Sequence, residues 1–246
     1  MATVLKHPSS LPVGDVIGAL ALFEGLDTPA FERLNAAAQR LNIPKGKLLH
    51  LQDDPADYFY VIVQGWVKLF RETLEGSEAI IDVLTSGHLF GENAVFENDC
   101  YSCAAEAIED TTLISLPTAL LKELIASSNQ LALNMLSSMS RHRLQQHREI
   151  EHLNVQNAPQ RIGCFLLRLC KPDQPVPVTL HLPYDKTLIA SRLGMKPETF
   201  SRALAKLKEQ TGIRIVGPTV YIDRLQALVS YTCNHCSTSF PCDDLG

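Results

Sequence analysis

The sequence predicts an α+β chain in three parts: an N-terminal β sandwich or barrel, a long helix, and a C-terminal winged helix-turn-helix. Three observations carry this. Short apolar segments closed by glycine turns run from Leu41 to Leu116, and the stretch from Asn129 to Asn154 holds neither proline nor glycine. The segment "YDKTLIASRLGMKPETFSRALAKLKEQTG" then sets Gly194 between two amphipathic runs. The boundaries read as 1–116 for the strand-rich part, 117–154 for the connecting helices, 155–232 for the helix-turn-helix part, and 233–246 for a cysteine-bearing tail.

With 246 residues and 46% hydrophobic content the chain can fill two ordinary cores. Its start has Lys6 ahead of a short apolar run, without the basic opening and cleavage site of a secretory signal, and no stretch approaches a membrane span. These features point to a cytoplasmic protein without membrane partners, in which thiols stay reduced. Seven cysteines, an odd number, then read as packed thiols or metal ligands rather than disulfides. The net charge of −5 is unevenly spread: residues 1–153 hold 11 basic and 20 acidic side chains, residues 154–232 hold 11 and 5. Only the back half is suited to a polyanion.

In the front part, "YFYVIVQG", "WVKLFRETLEG", "AIIDVLTSG", "YSCAAEAIED" and "TTLISLP" read as strands, with Gly46, Gly65, Gly76 and Gly87 at the turns. Tyr60, Ile62, Val67 and Leu69 alternate as a half-buried strand would. Pro117 opens a helical stretch, and the long helix follows. Along it Leu133, Leu136, Ser140, Arg143, His147, Ile150 and Asn154 fall at spacings of three and four, a seam suited to pairing with a second copy. His142, His147 and His152, five apart, do not share one helical face and read as solvated or packing residues.

In the back part Asp185 is placed to cap a first helix, Ala190 is small enough for a close helix crossing, and Gly194 suits the left-handed turn that follows. Pro197 suits the first turn of a second helix, whose Phe200, Leu204 and Leu207 form an inner stripe. Glu198, Thr199, Ser201, Arg202 and Lys208 remain for the outer face, with Ala205 beside them. Arginine, glutamate and a hydroxyl near a helix N-terminus are the groups that read base edges in the major groove of double-stranded DNA. "IRIVGPTVYID" follows as a two-stranded wing turning at Gly217-Pro218. No P-loop, nucleophile elbow or H-E-x-x-H is present, so the sequence does not read as an enzyme.

The run Gly65 to Phe70, the Gly76 turn and "SGHLFGENAVF" at Ser86 to Phe96 resemble the cyclic-nucleotide-binding β-roll of the CRP/FNR family of bacterial transcription regulators. The resemblance extends from about Leu22 to Leu228. It implies that the strand-rich part is a jelly-roll (a double-stranded β-helix) serving as a cNMP-binding-like sensory domain, and it implies a homodimer and contact with RNA polymerase, usually in activation. Cyclic-AMP-binding members follow their Gly-Glu pair with an Arg-Ser that holds the phosphate. This chain keeps Gly91 and Glu92 but has Tyr101-Ser102, and between Arg71 and Arg141 its one cation is Lys122. Cyclic AMP binding in the usual manner is therefore not expected. Glu198, Ser201 and Arg202 match the E-x-x-S-R spacing of the FNR and DNR-type branch, which implies a palindromic DNA site with TTGAT-like halves. A cyclic-nucleotide-binding regulatory subunit of another protein would share the roll but lack the reader.

The tail places Cys233, Cys236 and Cys242 in the spacing C-x2-C-x5-C. In FNR-type members cysteine runs hold a [4Fe-4S] cluster, in some through C-terminal cysteines with a non-cysteine fourth ligand, so oxygen, redox state or nitric oxide is the implied signal. Zinc is the rival, since His235 lies within the run and Cys3His sites suit it. Haem is a further alternative by resemblance to DNR-type sensors, with His7, His50 and His88 as the available axial ligands outside the long helix and DNA-binding part, and a small-molecule effector in the roll is another. Cys100 and Cys103 read as packed β residues, Cys164 and Cys170 as helix-core residues.

Overall fold

The computed structural model describes residues 11–170, 175–182, 186–237 and 240–242, with His235 described in its backbone only. His7 and Asp185 lie outside the described residues. The chain forms two compact units that divide inside the long helix, between Met139 and Ser140.

The first unit opens with α1 (Val13–Gly18), a 3-10 turn at Ala21–Phe23, and α2 (Thr28–Ala37). Asp27 caps α2, its carboxylate accepting the Ala30 amide at 2.8 Å, while Pro29 fits the first turn, where no amide is needed. The strands are β1 (Gln39–Ile43), β2 (Leu48–His50), β3 (Tyr58–Gln64), β4 (Trp66–Glu72), β5 (Glu78–Thr85), β6 (Leu89–Phe90), β7 (Ala104–Ala107) and β8 (Thr111–Pro117). They make two antiparallel four-stranded sheets, ordered β1-β8-β3-β6 and β2-β7-β4-β5. The jelly-roll is thus as expected, with β1 beginning earlier than the sequence pattern and the two-residue β6 too short to leave one.

β3 departs from the half-buried alternation read in the sequence, because it is buried on both faces. Tyr60 and Ile62 fill the inside of the roll with Phe90, Leu84 and Leu113, while Phe59, Val61 and Val63 pack on a helical layer of Ile17, Leu34, Leu121, Leu131 and Met135. A strand with apolar neighbours on both sides reads as a continuous run, "YFYVIV". The helical layer comes from α1, α2, α3 (Thr118–Ser127) and the first turns of α4 (Asn129–Val155). Leu131 and Met135 bind that first part of α4 into the core of the first unit.

The second unit comprises the remainder of α4, then α5 (Ala158–Arg168), β9 (Val178–His181), α6 (Lys186–Arg192), α7 (Pro197–Thr211), β10 (Arg214–Val216), β11 (Thr219–Ile222), α8 (Leu225–Thr232) and a 3-10 turn at Cys233–His235. A full capping box starts α5: the Asn157 side chain accepts the Gln160 amide, and the Gln160 side chain accepts the Asn157 amide in return. The wing has three strands, not the expected two. β9 joins β11 on the side away from β10, with Val178 and Leu180 buried opposite Ile222 and Val220. Four residues behind a proline-rich stretch were too short to register as a strand. No helix among the described residues is long and apolar enough to cross a membrane.

Gly65, between β3 and β4, has φ +97°, and a β-carbon there would lie 2.5 Å from Thr111 Oγ1 and 2.8 Å from Thr111 Cα. Backbone strain and a rigid strand neighbour act together. Gly65→Ala is expected to lower unfolding free energy by about 2–4 kcal/mol, measured by urea unfolding of the full chain through the fluorescence of the neighbouring Trp66. A loss below about 0.5 kcal/mol, the range of ordinary surface substitutions, would mean that the hairpin relaxes freely.

Candidate DNA interface and sensory regions

The turn between α6 and α7 is built as its sequence requires. Gly194 takes φ +63°, the Met195 amide donates to the Ala190 carbonyl at 2.9 Å, and Ala190 is fully buried, so no larger side chain fits the crossing. From this turn α7 starts at Pro197. It buries Phe200, Ala203 and Leu207 and half-buries Leu204, leaving Glu198, Ser201, Arg202, Ala205 and Lys208 exposed; Thr199 is half-buried. The Ser201 hydroxyl donates to the Pro197 carbonyl at 2.9 Å, so it presents lone pairs outward and acts as an acceptor. Lys208 lies ten residues beyond Glu198, about 15 Å along the helix, so the two are too far apart to meet the same base pair.

An ionic joint that the sequence did not reveal stands behind the reader. Glu149 Oε1 on α4 accepts from Arg168 Nη1 of α5 at 2.8 Å and from Arg192 Nη2 of α6. A carboxylate shared by two guanidinia ties the first helix of the reader to the end of α4. A lone glutamate in a polar helix carries no signal of such a role.

The cysteine tail folds back on the same unit. Gln156 Nε2 donates to Cys236 Sγ at 2.9 Å, and the amide and hydroxyl of Ser237 both donate to Glu151, each at 3.0 Å. Cys242 lines a pocket together with His152, Cys164 and Arg168, and Cys164 Sγ lies 3.6 Å from His152 Nδ1. The sequence reading of Cys164 as a helix-core residue is therefore corrected: it is half-buried and faces the tail. Cys170, by contrast, is buried and donates to the Leu166 carbonyl at 3.3 Å. Burial pushes the Cys164 thiol up to about 12, Arg168 opposing, and charge on Cys236, Cys242 or Cys233 would push it further. All seven cysteines are free thiols. Among the described residues no three His, Cys, Asp or Glu side chains are set to ligate one metal ion.

In the roll, Gly91 takes φ +85° beside Tyr101, whose ring would lie 3.1 Å from a β-carbon added at residue 91. Tyr101 is buried, donates to the Tyr58 carbonyl, and stacks on His50 with ring centroids 3.5 Å apart and planes within 10°. Tyr60 and Phe90 continue the aromatic group, 5.0 Å apart. Burial without a well-aligned hydrogen-bond partner on either ring nitrogen lowers the His50 pKa to about 4. The Glu92 carboxyl is enclosed and raised in pKa by desolvation, with Oε2 unpartnered. Ser102 is exposed, and its carbonyl accepts Arg71 Nε at 2.8 Å. Sequence distance hid this guanidinium, because the pairing of β4 with β7 brings Arg71 to the segment that lacks a cation of its own. His88 is exposed, with its Nδ1 2.9 Å from the Thr85 carbonyl oxygen.

Comparison with known proteins gives two matches within this chain: a cyclic nucleotide-binding domain at residues 40–128 and a Crp-like helix-turn-helix domain at residues 160–231. The nitrogen fixation regulation protein FixK of Rhizobium meliloti (strain 1021) is 33% identical over 170 residues, 69% of this chain and 75% of FixK. A CRP-like cAMP-activated global transcriptional regulator of Mycobacterium tuberculosis (strain ATCC 25618 / H37Rv) is 24% identical over 217 residues, 87% of this chain and 97% of that one. Among solved structures, a protein of Ruegeria pomeroyi DSS-3, provisionally described as a cyclic nucleotide binding protein, superposes with a TM-score of 0.70 at 33% identity, covering 89% of this chain and 98% of its own.

Two measurements follow from these geometries. Arg202→Ala is expected to weaken binding to a selected duplex by about 1–3 kcal/mol and to relax preference at a single base position; an unchanged selected sequence would remove Arg202 from base reading. In the roll, the unfolded chain binds a proton on His50 between about pH 6.5 and 4 that the folded chain refuses, so stability falls with pH across that window. The loss is about 2 kcal/mol at pH 5. His50→Phe, which keeps a ring on Tyr101, should flatten the change in urea midpoint between pH 7 and 5; an unaltered slope would place the titration elsewhere.

Proposed function

We propose, from the premise that this chain belongs to the CRP/FNR superfamily of bacterial transcription regulators, that it acts as a homodimer on palindromic DNA with TTGAT-like half-sites, under control of oxygen, redox state or nitric oxide. The family is one of DNA-binding regulators and not of enzymes. Pairing is supported by α4, on which Leu133, Leu136, Met139, Leu144, Ile150 and Leu153 are exposed, an apolar surface that a second copy would cover. The exposed Glu198, Ser201 and Arg202, with 33% identity to FixK, support the FNR-like manner of reading. Contact with RNA polymerase belongs to the same proposal and rests on the family alone.

The observation that carries the choice of signal is the seating of the tail. Three thiols at C-x2-C-x5-C do not trail from the fold: Cys236 is bonded to Gln156, Ser237 to Glu151, and Cys242 shares a pocket with Cys164. Thiolates are the preferred ligands of an iron-sulfur cluster, and the pocket carries Arg148 and Arg168, the latter paired with Glu149. Such a cluster would supply sensitivity to oxygen or nitric oxide. The chain's own part is mechanical: with its thiolates gathered, Cys236, Ser237 and Cys242 stay seated on α4 and α5, and with them dispersed Glu151 and Gln156 lose their partners. Zinc in place of the cluster would give the same clasp without the redox response.

A second reading keeps the effector in the roll. It is favoured by the orphaned nitrogens of His50 and Glu92 Oε2, which a polar small molecule entering beside Tyr101 would satisfy. Cyclic AMP fits poorly, because the Tyr101–His50 stack occupies the inside of the roll. Haem is the other form of this reading, with His50 or His88 as ligand.

The test is operator binding by full-length protein prepared without oxygen, before and after air, beside a variant with Cys233, Cys236 and Cys242 all changed to serine. Roughly tenfold tighter anaerobic binding, reversed by air and absent from the variant, is expected. Equal affinities in all four samples would dismiss the tail as the sensor, and haem titration and cyclic AMP calorimetry would then test the roll.

A further inference from the structure

We propose that Cys164, on α5, supplies the fourth thiolate beside Cys233, Cys236 and Cys242, so that the cluster is held between the body of the DNA-binding unit and its tail. This rests on the reading of the tail as a thiolate cluster site, and it names the ligand that the tail sequence lacks.

Cys164 is placed by its neighbour, Gly163. Gly163 has no side chain, and a β-carbon there would lie 2.2 Å from Thr232 Oγ1 and 3.3 Å from Thr232 Cβ. The Thr232 side chain, on the last turn of α8, therefore lies directly against the α5 backbone at Gly163, and the next residue of each chain segment is a cysteine, Cys164 and Cys233. Cys233 begins the 3-10 turn whose carbonyl accepts the Cys236 amide at 3.2 Å, which brings the second tail thiol to the same side. Cys242 completes the approach by lining the pocket that Cys164 also lines. Of the four sulfurs, those of Cys164 and Cys242 line one pocket, which also carries His152 and Arg168.

The spacing also bears on what is held. One zinc ion needs its sulfurs about 3.8 Å apart, from a tetrahedron with bonds near 2.3 Å, and no group among the described residues meets that requirement. A four-iron cubane takes one thiolate on each iron, so its ligands stand further apart and can come from separate elements. As each sulfur binds iron, its thiol proton passes to solvent, which makes loading favour higher pH. His152, 3.6 Å from Cys164, is the rival fourth ligand from α4. Cys170 is excluded by its bond to Leu166, and Cys100 and Cys103 belong to the roll.

The experiment is anaerobic reconstitution of the full-length protein with ferrous iron and sulfide, and separately with zinc, on wild type, C164S, C164A, H152A and the triple tail serine variant. The readouts are bound metal, visible absorption, and alkylation of each cysteine by mass spectrometry, with Cys100 as the internal control. Expected are about four irons per wild-type chain, as the cluster formula requires, with Cys164 protected from alkylation together with the three tail thiols. C164S and C164A should retain at least roughly tenfold less iron, while metal-free samples of both bind DNA as wild type does and so report an intact fold. Wild-type iron and spectrum in C164S, with loss in the triple variant, would overturn the role of Cys164 and leave the tail reading standing; loss in H152A alone would move that role to His152. Failure of wild type itself to take up iron would overturn the tail reading, and zinc uptake dependent on the same four cysteines would keep the ligand set while replacing the metal.

Discussion

Much of the DNA-binding unit depends on one contact, the close approach of α5 and α8 where Gly163 meets Thr232. Thr232 is fully buried and its hydroxyl has no partner, a polar group accepted in a dry place. The gain is proximity. With the two helices this close, Leu228 and Val229 of α8 join Ile162, Leu166 and Leu167 of α5 in the core that also receives Phe200 and Leu207 of α7. α7 is thereby held from behind, and its Arg202 face is presented by packing. The same contact decides where the chain emerges after α8, and therefore which residues the tail can reach.

The roll follows the opposite logic. Its β3 is covered on both faces, so the sheet cannot reshape one side without disturbing the other, and its interior is occupied by flat rings that stack. Tyr101 reaches across to the Tyr58 carbonyl, and His50 lies parallel beneath it with its nitrogens unanswered. A neutral imidazole tolerates that setting and an imidazolium does not, which is why burial rather than any neighbouring charge governs its proton affinity. Tyr101 stands in the segment where the resemblance would put the arginine of cyclic-AMP-binding members, and here it belongs to an aromatic group with His50, Tyr60 and Phe90.

Legibility in the sequence tracked the locality of the physics. The helix-turn-helix was legible because Ala190, Gly194 and Pro197 each answer a local demand: a close crossing, a left-handed turn, a first helical turn without an amide. The glycine turns of the roll were legible for the same reason. β9 and β6 were not, since strands of four and two residues owe their existence to a partner far along the chain. Nor could the double burial of β3 be told from a single face, because an apolar run gives no period. The tail spacing pointed to three thiols, yet Cys164 read as a core residue: the helical pattern assigned it a face, and only the Gly163–Thr232 approach shows what that face meets. Arg71 only bounded the cation-poor stretch in the sequence, and strand pairing makes it a neighbour of Ser102.

The last two turns of α4 gather what the rest of the unit offers. Within eight residues, Glu149 receives Arg168 and Arg192, Glu151 receives Ser237, His152 meets Cys164, and Gln156 holds Cys236. The partners come from three places: Arg168 and Cys164 from α5, Arg192 from the first helix of the reader, and Cys236 and Ser237 from the tail. Such short-range bonds share one rigid segment, so a tail that loosens removes support from the helix turn that also carries Glu149. A carboxylate with two guanidinium partners keeps its geometry only while its own helix is fixed, because charge-assisted bonds of this kind depend on alignment. On the proposal that the tail senses, a change among the thiols would reach α6 through Glu149 and Arg192, and α6 packs against α7. The sensor and the reader would then need no long path between them, since both rest on the same eight residues.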